Sequence, residues 1–250
     1  MTVLHFFHGI ADAFLVLVSY IVKLAPIGVF ALAAPLAARI GAAAAGLLVS
    51  YIAILSAAIA AFTVLILYPA ARLWGGVPLA HFAKAAAPAQ AVAFSSRSSL
   101  ASLPAVYAGA RGGLALPEHI CNLFLPLAAS MFRVGAAMVQ VVGAVFLAKI
   151  YGMVLDPRQL ATVTVMAVAT SLTAPGIPLG GGILVMAPVL TAVHLPAAGI
   201  GILLAVDTIP DMFRTAANVT GWLCVGSILS RSEAATPKVA ARSAAGIHGK

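Results

Sequence analysis

Apolar residues run along this chain in stretches much longer than the core helix of a soluble protein needs, and polar residues interrupt them at only a few places. Each helical crossing of a hydrocarbon core about 30 Å thick takes about 20 apolar residues. Residues 11–38 and 41–67 supply two such runs, parted near Arg39, and residues 121–150 supply a third with Arg133 in the middle. A charge at that depth is costly unless it faces protein or water, so Arg133 requires a partner. A last run, residues 200–229, carries Asp207, Asp211, Arg214, Thr215 and Asn218. At 100° per residue, positions 207, 211, 214 and 218 fall within an arc of roughly 60° and form one polar stripe.

Two further apolar regions are broken in the middle. Residues 79–111 are interrupted by Ser95, Ser96, Arg97, Ser98 and Ser99, with Pro104 just beyond. Residues 161–200 contain Thr-Ala-Pro-Gly-Ile-Pro-Leu-Gly-Gly-Gly at 173–182, too rich in glycine and proline for the interior of a helix. Irregular backbone at membrane depth persists only where protein buries it or where it lines a watery cavity. A pair of interrupted apolar segments is the pattern by which sequence points to the midplane site of a secondary transporter. As helix, residues 79–93 reach only about 22 Å, closer to half a crossing than to a full one, so a re-entrant hairpin fits better than two spans. The pattern predicts an all-α integral membrane fold of multiple spans with two re-entrant helical hairpins.

Composition agrees. The 250 residues are 63% hydrophobic and only 8% charged, whereas soluble domains are usually about 25% charged. Mean hydropathy is +1.11. The net charge of +8 does not point to nucleic acid, because the basic residues are scattered without aromatic interleaving on a polar surface. In a membrane chain such cations mark cytoplasmic loops. With the chain start inside, Arg72, Lys84, Arg111, Arg231, Lys238, Arg242 and Lys250 are cytoplasmic and Arg39, Lys149 and Arg158 external, which puts the polar tail, residues 232–250, in the cytoplasm of a multi-pass cell-membrane protein. The first ten residues lack a basic n-region, so no cleavable signal peptide is expected. Cys121 and Cys224 are far apart in apolar stretches, which argues against a disulfide scaffold or a zinc site. No cofactor is expected.

The chemistry of the stripe suits a small anionic or zwitterionic solute. Arg214 is a planar fork able to hold a carboxylate with two hydrogen bonds, and Asp211 can accept from an ammonium. Half-helix N-termini at the two breaks would offer backbone N–H groups to a second carboxylate. Ser98 and Ser99 are the natural hydroxyl partners, and plain capping of the second half-helix is the alternative role for one of them.

Four stretches resemble the glutamate/aspartate and dicarboxylate:cation symporter family. They are Leu-Ala-Pro-Ile-Gly-Val-Phe at 24–30, Arg-Ser-Ser-Leu-Ala-Ser-Leu-Pro at 97–104, Gly-Ile-Pro-Leu-Gly-Gly at 176–181, and Ala-Val-Asp-Thr-Ile-Pro-Asp-Met-Phe-Arg-Thr-Ala-Ala-Asn-Val-Thr-Gly at 205–221. The order is the family's, and the part resembled is its C-terminal, hairpin-containing part. The resemblance implies that residues 1–70 form a scaffold helix and a first core helix. Residues 71–231 would then form the transport core: hairpin 1 at 79–111, a helix at 120–150, hairpin 2 at 161–199 and a last helix at 200–230. It implies that Arg214 holds a substrate side-chain carboxylate, Asp211 and Thr215 its amino group, and Asn218 with Ser99 its backbone carboxylate. Arg97 would lie near Asp211, and Ile177, Pro178 and Gly181 would contact substrate from the second hairpin tip. The implied substrate is an acidic amino acid or a dicarboxylate, moved by elevator-like alternating access, and because both Arg214 and Asp211 are kept the resemblance leans towards an acidic amino acid.

The chain also departs from that family. Where the third core helix should carry an Asn-Met-Asp-Gly-Thr motif that wraps sodium, it has Phe132-Arg-Val-Gly-Ala136, and Trp222 follows Gly221 where another cation-binding aspartate is expected. A hard cation needs oxygen ligands, and the side chains of Phe132, Val134, Ala136 and Trp222 offer none. The expectation is that Arg133 puts a fixed positive charge in place of the cation and pairs with Asp207, leaving proton coupling or exchange rather than sodium coupling. Family members generally begin with additional scaffold spans, which implies a homotrimer or a separate N-terminal scaffold chain. The main rival reading is a degenerate or truncated member that binds solute without transporting it. A channel would need a filter sequence, and none is visible. An enzyme is not expected: His5, His8, His81, His119, His194 and His248 sit near segment ends without an HExxH pattern, and Ser98 has no evident base.

Overall fold

The computed structural model describes residues 42–174 and 180–235, with scattered helical positions between residues 6 and 31. Apart from those positions, the expected first span at 11–38 lies outside the described residues, as do Ile177, Pro178 and the tail beyond residue 235. All regular structure among the described residues is helical.

Helix α1 (Ala42–Phe62) continues through a π-helical turn, Thr63–Leu67, into α2 (Tyr68–Leu73). The widened turn has a cause in the sequence. Pro69 lacks an N–H and its ring crowds the carbonyl four residues back, Leu65, which the π turn displaces. The same device recurs where the π turn Ile120–Phe124 precedes Pro126 in α5 (Leu125–Met131). Val49, Ile54, Leu65 and Ile66 are each more than half exposed, an outward apolar surface of the kind a bilayer covers.

Next comes a helical hairpin. Its first arm is α3 (Leu79–Ser96), and its second is α4 (Leu103–Ala108) with the π turn Gly109–Gly113. The arms touch closely enough that a Cβ on Gly109 would stand 2.5 Å from Ala85 O. Arg97 ends the first arm in the left-handed conformation, φ 53°. The expected continuous helix at 120–150 is instead broken: α5 stops at Met131, Phe132 and Arg133 are not helical, and α6 (Val134–Ile150) begins afresh.

Helix α7 (Pro157–Ser171) opens with a capping box, in which Gln159 N–H donates to Asp156 Oδ1 at 2.8 Å and Asp156 N–H to Gln159 Oε1 at 2.9 Å. The short helices α8 (Gly181–Leu184) and α9 (Ala187–Thr191) return after the second tip, α9 packing on α7. The last expected helix, residues 200–230, is also two pieces: α10 (Gly199–Val206) stops before Asp207, and the 28-residue α11 (Thr208–Ala235) follows.

Helix α11 crosses both apolar cores. Val219, Trp222, Leu223 and Cys224 pack with the first hairpin and α5, and Ala217 packs with α1, α6, the second hairpin and α10. The polar stripe sits on α11 where these two cores meet.

Candidate functional site

Three breaks in helix converge on the stripe: the tip after α3, the interruption at Phe132–Arg133, and the glycine-rich start of α8. Arg97, Ser99, Arg133, Ala136, Gly181, Gly182, Asp211, Arg214, Thr215 and Asn218 line one small cavity with about 20 Å³ of free volume, roughly the room of one water. The site is closed upon its own side chains.

Those side chains satisfy one another. Arg214 grips Asp207 with both ends of its fork, Nη1 to Oδ1 at 2.9 Å and Nη2 to Oδ2 at 2.8 Å, and its Nη2 also donates to Asp211 Oδ1. All three residues are at most 3% exposed. A buried carboxylate or guanidinium is tolerated when paired in this planar, two-bonded geometry. Asp211 gains further support from its place in the first turn of α11, where the helix dipole favours negative charge. Thr215 Oγ1 donates back to Asp211 O at 2.7 Å.

Asn218 fixes the beginning of α6. Its Oδ1 accepts the Gly135 N–H at 2.9 Å. Glycine is required at 135 because α6 and α11 nearly touch: a Cβ there would lie 2.3 Å from Arg214 Cγ and 2.8 Å from Arg214 O.

Arg133 does not pair with Asp207 as the sequence suggested. Asp207 is taken by Arg214, while Arg133 Nη2 donates to Ala129 O at 2.5 Å and Arg133 Nε has no hydrogen-bond partner. The reason is geometric: Asp207 precedes α11 by one residue, within a single fork's reach of Arg214 two turns on, whereas Arg133 turns back onto the carbonyls freed at its own break. Arg97 and Asp211 line the same cavity. The two serines part company. Ser99 is buried and lines the cavity, whereas Ser98 Oγ accepts the Ala101 N–H at 3.2 Å, the capping role considered for one of the pair.

Several site residues escaped the sequence reading. Gln140, fully buried in α6, donates to Gly182 O at 2.8 Å and accepts from Thr170 Oγ1 at 2.5 Å, tying both arms of the second hairpin to α6. Its only signal was a lone amide in an apolar run. Trp222 Nε1 donates to Phe132 O at 2.7 Å, holding the break in α5–α6 against α11. Tyr51 is buried with an unpaired hydroxyl.

Comparison with known proteins gives this arrangement a family. A sequence profile of the sodium:dicarboxylate symporter family matches residues 1–232. The chain is 37% identical over 237 residues to the rat (Rattus norvegicus) neutral amino acid transporter B(0), covering 87% of this chain and 40% of the relative. The human (Homo sapiens) protein of that name is 35% identical over 239 residues, with the same coverage of 87% and 40%. A proton/sodium-glutamate symport protein of Geobacillus stearothermophilus is 29% identical over 231 residues, covering 92% of this chain and 54% of the relative. The chain thus spans about half the length of these curated relatives or less. The all-helical fold, the exposed apolar helices and the profile match agree: this membrane-embedded chain belongs to the sodium:dicarboxylate symporter family.

Proposed function

We propose that this chain forms the solute-handling core of a secondary transporter for an acidic amino acid or dicarboxylate, running on proton coupling or exchange instead of sodium. The observation that carries the reading is the buried Asp207, Asp211 and Arg214 cluster at the meeting point of three broken helices, two of which bring the further guanidiniums of Arg97 and Arg133 to the same cavity. Buried ionisable groups inside a membrane bundle are costly, so they persist where a solute or ion path needs them. A structural salt bridge alone would require one acid and one base.

On this reading the solute enters by opening one hairpin tip. Its carboxylates meet Arg214, Asn218 Nδ2 and the Ser99 hydroxyl, its ammonium meets Asp211 and Thr215, and Arg97 neutralises charge at the mouth. The backbone of Gly180, at φ 84°, gives the second tip a joint that residues with a side chain resist, and supports a gating role for that segment. The hairpin core moves as an elevator against a scaffold, supplied by a separate chain or by a homotrimer of a longer protein, with the C-terminus in the cytoplasm of a cell membrane. The closure of the cavity to about 20 Å³ favours a second reading, a solute-binding membrane subunit that does not transport.

Uptake of aspartate and glutamate into liposomes holding the purified chain, with sodium and proton gradients imposed separately, tests both. Proton-driven or exchange uptake indifferent to sodium is expected. Sodium-driven uptake overturns the coupling assignment, and binding without uptake establishes the non-transporting subunit.

A further inference from the structure

Arg133 is only 5% exposed, yet its Nε–H has no hydrogen-bond partner. An unpaired donor on a buried guanidinium costs the desolvation of that donor, so the side chain is not fully satisfied by the protein alone. The other end of the fork is committed: Nη2 is anchored to Ala129 O. The side chain is therefore held in position, and it lines the same cavity as Asp211, Thr215, Asn218 and Ser99.

Arg214 is in the opposite condition. Two carboxylates already share its charge, so a substrate carboxylate that bonds Arg214 adds a third negative group to one positive and leaves a second carboxylate to be balanced elsewhere. Arg133 has no carboxylate at ion-pair distance among the described residues. A carboxylate entering this cavity finds its unbalanced guanidinium at Arg133.

Resting on the transport-site reading above, we infer that Arg133 binds the second carboxylate of the substrate and makes the site selective for compounds of net charge −1. The charges support that choice. Arg97, Arg133 and Arg214 stand against Asp207 and Asp211, leaving one positive charge over. A neutral zwitterion leaves that charge uncompensated in a site almost without water. A dianion without an ammonium overshoots it. An acidic amino acid, with two carboxylates and one ammonium, matches it and supplies a cationic group for Asp211 as well.

The experiment is calorimetric binding to the purified chain in lipid nanodiscs, in sodium-free buffer, with L-aspartate, L-asparagine and succinate as probes. Aspartate should bind most tightly. Arg133→Gln should weaken aspartate by about tenfold or more while asparagine stays within about twofold, so that the preference collapses, as expected when a charge-assisted contact is lost from a desolvated site. Arg133→Lys retains the charge without the fork and should fall between, and thermal melting of each variant identifies any that fail to fold. The inference is overturned if folded wild type binds asparagine as well as aspartate or binds neither, or if Arg133→Gln keeps the preference. An Arg133-dependent preference without uptake refutes transport and leaves the inference standing. Uptake whose preference ignores Arg133 does the reverse.

Discussion

Replacing Gly135 by alanine sets two predictable effects against each other, and their sum has a sign. Alanine is the better helix former by about 0.5–1 kcal/mol in a helix interior, so a Gly135→Ala change near the start of α6 should stabilise the chain slightly if only local propensity mattered. The structure says otherwise. The new Cβ would stand 2.3 Å from Arg214 Cγ, 2.8 Å from Arg214 O and 3.1 Å from Arg214 Cα, where carbon atoms at rest keep about 3.5–4.0 Å apart. The side-chain carbon can swing away, but the carbonyl oxygen and Cα belong to the backbone of α11, so the two helices must separate. Overpacking of this kind costs about 1–3 kcal/mol, which exceeds the propensity gain. Separation would also stretch the Gly135 N–H bond to Asn218 Oδ1 and shift Arg214 against Asp207. Expected results are a lower melting temperature in detergent and weaker solute binding. A Gly135→Ala protein that melts higher than wild type with binding intact would refute the reasoning and mean that α6 and α11 are not in contact here.

Asp207→Asn strips Arg214 of a charged partner in a buried setting, where breaking a pair costs about 3–5 kcal/mol; folded yield should drop sharply, and Arg214→Met in the same chain should restore part of it, as read by size-exclusion recovery after heating. Gln140→Leu leaves Gly182 O and Thr170 Oγ1 without that partner and should cost about 1–3 kcal/mol. Its loss should appear as faster amide exchange confined to the second hairpin, and unchanged protection there would count against the tie between α6 and that hairpin.

What could be read in advance was what periodicity carries. The stripe of Asp207, Asp211, Arg214 and Asn218 follows from 3.6 residues per turn, and the structure gathers all four onto Arg214 and the start of α6. The break after Ser96 announced itself through its serines. The break after Met131 did not, because Met-Phe-Arg-Val contains no residue that stops a helix. It exists through contacts distant in sequence, Trp222 Nε1 on Phe132 O and Asn218 on Gly135, which no local pattern encodes. For the same reason Arg133 was legible as a buried charge but its partner was not. Choosing between Ser98 and Ser99 needed the turn geometry that aims one at Ala101 and the other at the cavity.

Together these contacts set what a cation would meet at the break in α5–α6. Unwound backbone in transporters exposes carbonyls, and coupling ions bind by filling them. Here two carbonyls around the break are already occupied by donors of the chain itself: Phe132 O by the Trp222 indole at 2.7 Å and Ala129 O by the Arg133 guanidinium at 2.5 Å. An ion would have to displace an indole N–H and sit beside a fixed positive charge, with no side-chain oxygen from Phe132, Val134, Ala136 or Trp222 in return. The consequence is measurable through linkage, because a ligand that binds only the folded state stabilises it, by about 2.7 kcal/mol at a hundredfold excess over its dissociation constant. Melting curves in sodium chloride and in choline chloride at matched ionic strength should therefore coincide. A saturable rise in melting temperature specific to sodium would show a cation site built from other carbonyls, and Arg133 would lose its place as the tethered counter-charge.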